Sequence, residues 1–130
     1  MRQPVNQQLV MFTSSSWFTL TVSIITSVTI WLLTPLLTSH REPWDADGGF
    51  YLAALLIAGA VAGTIAPKPV WAHYAGSFIG QLGYELLFLG VGPLVIIGAV
   101  FLLGYCILYS MAAGLAGLVR TRMQKRLTND

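Results

Sequence analysis

In this chain of 130 residues, 55% are hydrophobic and 9% charged, and mean hydropathy is +0.71, whereas a soluble domain carries about a quarter charged residues. The composition points to an integral membrane protein. A net charge of +2 is too small for a nucleic-acid-binding face, and the single cysteine, Cys106, excludes an internal disulfide and any CxxC redox or zinc site.

The polar segment 1–16 carries Arg2 and ends in Thr13-Ser14-Ser15-Ser16, hydroxyl residues suited to capping a helix entry. A first span is expected over residues 17–37, matching the roughly 20 apolar residues that cross a hydrocarbon core. With no strongly basic start and no small-residue cleavage site, it reads as a retained helix. Thr19, Ser23, Thr26, Ser27 and Thr34 fall on one face, which should meet other helices because small hydroxylated residues permit close approach. Pro35 should kink or end the helix by removing a backbone hydrogen bond.

Residues 38–49 form the most polar internal segment, with Arg41, Glu42, Asp45 and Asp47 around Pro43, and read as an external loop. Trp44 suits the headgroup level. Asp45-x-Asp47 lacks the further ligands of a calcium loop, so no metal is expected there.

A second, short span is predicted over 50–66, where Gly59 and Gly63 form a small-residue pair for close helix packing. Pro67 and Pro69 end it. From Trp71 to Val119 the only formal charge is Glu85. A straight helix of that length would extend about 73 Å, more than twice a hydrocarbon core of about 30 Å. The chain must turn back, and Gly90-Val91-Gly92-Pro93 is the natural place. This divides the run into a third span, 71–89, and a fourth, 93–119, with Ser110/Gly114 and Ala113/Gly117 as small-residue pairs. Residues 120–130 form a basic tail in which Arg120, Arg122, Lys125 and Arg126 suit an anionic membrane surface.

The expected fold is therefore all-α, a single membrane domain of four transmembrane helices. Both termini and Lys68 then share one side with six of the seven basic residues, leaving Arg41 opposite. By the positive-inside rule the termini are cytoplasmic, as for a bacterial inner-membrane protein.

The third span carries the candidate site. His73, Ser77, Gln81 and Glu85 recur every fourth residue and form a row on one face, with Gly76, Gly80 and Gly83 beside them for packing. Phe78, Ile79, Leu82, Leu86 and Leu89 lie on the far, lipid-facing side. Ionisable groups within membranes point into protein or a wet cavity; Glu85, four residues from the external end of its span, reads first as a structural or interfacial group and otherwise as the one carboxylate placed to serve an ion or proton path. His40 and His73 fall at opposite faces and cannot share a haem iron. There is no HExxH, P-loop, GxSxG or dinucleotide fingerprint, and no enzyme activity or cofactor is expected. The chain reads as a non-catalytic accessory subunit whose partners are the bilayer and other membrane subunits or further copies of itself. The alternative is an oligomeric transporter or channel using Gln81 and Glu85.

Overall fold

The computed structural model describes the backbone of residues 5–129 and the side chains of residues 15–129; Arg2 and Asp130 lie outside the described residues. Among the described residues there are four α-helices and no strand: α1 Val5–Leu37, α2 Phe50–Ile65, α3 Val70–Tyr84 and α4 Val95–Asn129. A single 3-10 turn, Pro43–Asp45, interrupts the α1–α2 connection, and a π turn, Glu85–Leu89, extends α3. The fold is all-α. Two helical stretches, Ser15–Leu37 and Val95–Asn129, are long and apolar enough to cross a membrane, and α2 is apolar but shorter.

The helix ends differ from expectation where local propensity continues past the apolar stretch. Helix α1 already runs from Val5, so Thr13–Ser16 lie inside it and not at its entry. No glycine or proline interrupts the sequence between Val5 and Thr34, and Gln, Leu and Met favour a helix as far out as it can run. Interior hydroxyls are satisfied on the carbonyl one turn back, as in Ser27 Oγ to Ser23 O at 2.6 Å and Thr34 Oγ1 to Ile30 O at 2.7 Å. Pro35 is followed by only two more helical residues, and the Thr38 N–H closes the last turn on Thr34 O at 2.8 Å. The tail expected after Val119 is likewise helical to Asn129, because Arg, Lys, Gln, Met and Leu continue the helix without a breaker. Between α3 and α4 the chain reverses where expected. Gly90 takes φ of 85°, a left-handed conformation that ordinary side chains disfavour.

The helices pack in the cyclic order α1, α3, α4, α2, with the closest associations between α1 and α3 and between α2 and α4. Glycines explain both. A Cβ on Gly59 would collide with the carbonyl of Tyr109, and one on Gly63 with the backbone of Ala113, so α2 lies directly on α4. On the other side, a Cβ on Gly76 would come 2.6 Å from both Leu20 O and Ser23 Cβ, and one on Gly80 2.8 Å from Ile24 O. The hydroxyl face of α1 is thus the surface that α3 meets. Gly117 approaches the backbone of Pro67, where a Cβ would sit 2.7 Å from its carbonyl oxygen. Two glycines expected to pack closely do not. A Cβ on Gly114 would make ordinary contact with Val70 at 3.5 Å, and one on Gly83 would meet nothing within 4 Å, because it faces open space.

Ile30, Trp31, Tyr51, Leu55, Ala62 and Tyr109 form the buried core. Around it the usual distribution is inverted: Thr19, Ser23, Ser27, Thr34, His73, Ser77 and Gln81 are fully buried, while large hydrophobic side chains stand exposed on all four helices.

Candidate functional site

Helical geometry brings His73, Ser77, Gln81 and Glu85 into one row on α3, and all four are buried. The first three are joined to neighbouring elements. His73 Nε2 lies 2.8 Å from the carbonyl oxygen of Ala66, and Nδ1 lies 2.7 Å from Ser23 Oγ. A carbonyl can only accept, so Nε2 carries a proton and donates, and Nδ1 of the neutral ring accepts from the Ser23 hydroxyl. The imidazole therefore ties α3 to α1 and to the end of α2. Although Ser23 and His73 resemble a nucleophile and its base, both are fully buried and no carboxylate orients the ring.

Gln81 sits at the centre of the bundle. Its Oε1 accepts from the Trp31 indole at 3.3 Å and from the Tyr51 hydroxyl, while its Nε2 donates to Ser77 Oγ at 3.0 Å and contacts Cys106 Sγ at 3.7 Å. An indole N–H can only donate, which identifies the amide oxygen as the atom facing Trp31. Ser77 Oγ in turn donates to Cys106 Sγ at 3.4 Å. One amide side chain thereby connects all four helices. Thr26 and the Tyr109 hydroxyl, hydrogen-bonded to each other, add a link between α1 and α4.

Sequence reading missed Trp31, Tyr51, Tyr109 and Cys106 as members of this network, since each lies in an apolar run with no polar periodicity. The available signal was chemical: a tryptophan or tyrosine deep in a bundle needs a partner for its N–H or O–H.

Glu85 differs from the rest of the row. It is 6% exposed, and its Oε2 is fully buried without a hydrogen-bond partner. It begins the π turn, a deviation often found at functional sites. Beside it opens a cavity of about 730 Å³ between the Pro43–Asp45 turn, the π turn and the start of α4. Glu42 and Asp45 also line this cavity, as do Trp44, Phe101 and Tyr105, and among the described residues no basic side chain does. The Trp44 indole donates to Glu42 and stands edge-on to Trp31, with ring centroids 4.9 Å apart at 88°. The loop over the cavity is thereby anchored to the core. Gly98 on α4 leaves the space next to the carboxylate open: a Cβ there would lie 3.3 Å from Glu85 Oε1 and 3.7 Å from the Trp44 ring.

At the opposite end of the bundle, Arg120 donates through one guanidinium nitrogen to the carbonyls of Thr64 and Ile65, the second at 2.9 Å. It satisfies the free C-terminal carbonyls of α2. Arg122, Lys125 and Arg126 are exposed on the α4 extension. No group of three His, Cys, Asp or Glu able to hold a metal ion occurs among the described residues. The geometry separates a closed polar network, which joins helices, from an acidic cavity with one unpartnered carboxylate. No protein-family model, no curated protein and no solved structure matches this chain.

Proposed function

We propose that this chain is a four-span membrane protein of the bacterial inner membrane and serves as a non-catalytic subunit of a larger membrane assembly. The observation that carries the membrane reading is the inverted distribution of side chains, with polar groups buried and large apolar groups outside. Lipid stabilises that arrangement, whereas water does not. In this reading α3 and its π turn form the third span, able to cross despite its polar row because the row faces protein. Helix α2, at 16 residues, is about 24 Å long and needs flanking residues or local thinning to cover a core of about 30 Å. With six of the seven basic residues on the side of the termini, that side is cytoplasmic.

Two features support a subunit role. His73, Ser77 and Gln81 are engaged in holding the chain's own helices together. In addition, α1 before Ser15 and α4 beyond Arg120 continue past the α2–α3 connection, each by roughly 15 Å. Such short polar extensions are marginal as isolated helices, so a neighbouring subunit or the membrane surface is suited to hold them. Extraction in a mild detergent at native expression is expected to yield a complex much larger than one chain; a clean monomer would overturn the subunit reading.

The unpartnered carboxylate of Glu85 favours a second reading, transport through two or more associated copies. Proteoliposome flux that falls in Glu85→Gln would support it, and unchanged flux would remove its basis.

A further inference from the structure

We infer that the acidic cavity beside Glu85 binds a small organic cation, an ammonium group carrying an apolar or aromatic body. This goes beyond both readings above, since it concerns binding and holds for a subunit or a transporter. Three carboxylates, Glu42, Asp45 and Glu85, line the space, and no lysine, arginine or histidine lines it with them among the described residues. A carboxylate buried without a partner is unfavourable when ionised, and an incoming cation relieves that directly. Glu42 is already held by the Trp44 indole and Asp45 is exposed at the rim, so Glu85 is the buried group left to receive the ligand.

The rest of the lining specifies the ligand's body. Trp44, Phe101 and Tyr105 present rings that attract a cation over their faces, and they sit among aliphatic side chains. The volume of about 730 Å³ falls within the range of roughly 300–1,000 Å³ typical of small-molecule sites and is far larger than a bare ion requires. A bare metal ion also finds no three ligands converging among the described residues. Gly98 opens the approach to Glu85, because any side chain there would crowd the carboxylate and the Trp44 ring.

The test uses the full chain in detergent micelles, titrated calorimetrically with benzyltrimethylammonium, with benzyl alcohol as a neutral counterpart. Saturable binding of the ammonium alone is expected, weakened at least tenfold by Glu85→Gln and unchanged by Asp47→Asn, a loop carboxylate outside the cavity. No saturable binding, equal binding of the alcohol, or full affinity in Glu85→Gln would overturn the inference. Should Glu85→Gln fail to fold, the paired rim variant Glu42→Gln/Asp45→Asn is expected to bind at least threefold more weakly, and unchanged affinity there would also overturn it. N-acetyl-lysinamide binding more tightly than the aromatic ammonium would replace the small molecule with a basic side chain of a partner protein.

Discussion

Gln81 and Glu85 are one helical turn apart on the same face, yet they stand in opposite relation to stability. Gln81→Leu removes the acceptor shared by the Trp31 indole and the Tyr51 hydroxyl and leaves two buried donors unsatisfied. An unsatisfied buried group costs about 1–3 kcal/mol in water-soluble proteins, while interhelical bonds in membranes average about 0.6 kcal/mol. The expected loss is therefore about 1–3 kcal/mol, read from a denaturant titration in mixed micelles followed by helical circular dichroism. Ser77→Ala, which loses the weak bond to Cys106 Sγ and the acceptor for Gln81 Nε2 but leaves that amide in contact with Cys106 Sγ, should cost about 1 kcal/mol in the same experiment. Glu85→Gln has no such bond to lose at Oε2 and is expected to leave the midpoint unchanged or raise it. A clear loss of stability in Glu85→Gln would show that the carboxylate has a structural role.

At the scale of the helices, packing rests on the few glycines where backbone meets backbone. Gly63→Leu should separate α2 from α4, and Gly76→Leu should separate α1 from α3, because the obstructing atoms are backbone and cannot swing aside. Both variants are expected to lose most folded material by size-exclusion chromatography, whereas Gly83→Ala, which meets open space, should be recovered like the parent. Equal behaviour of Gly83→Ala and Gly76→Leu would show that the α1–α3 contact is not close. Arg120 acts at the same scale from the other end of the bundle. Arg120→Ala frees two carbonyls of α2 and should cost about 1 kcal/mol, while Arg122→Ala, on an exposed position, should cost nothing measurable.

For the whole molecule, the placement of its ends decides the proposed topology. Reporter fusions after Asp130 and between Pro67 and Pro69 should behave as cytoplasmic, and a fusion near Asp47 as external; an external carboxyl terminus would overturn the four-span arrangement. Neutralising Arg122, Lys125 and Arg126 together should change the proportion of correctly oriented molecules without moving the unfolding midpoint, since all three side chains are exposed, whereas Arg120 holds the end of α2. A shifted midpoint would instead mean that the α4 extension is part of the folded body.

The all-helical class, the reversal at Gly90–Pro93 and the shared face of His73, Ser77, Gln81 and Glu85 were legible in the sequence. Each follows from a local cause: apolar runs bounded by breakers, or a four-residue period on a helix. Helix ends were less legible, because residues 5–16 and 120–129 are polar yet still favour a helix. Which polar residues are closed off and which is left open was decided only by tertiary structure. Gln81 meets Trp31 from α1, Tyr51 from α2 and Cys106 from α4, three residues distant in sequence and unmarked by any period. Glu85, one turn further along the same row, reaches past those partners to the end of the bundle, where Gly98 and the Pro43–Asp45 turn leave a cavity beside it. Periodicity places a side chain on a face, but its partner depends on how far along the neighbouring helices that face is met.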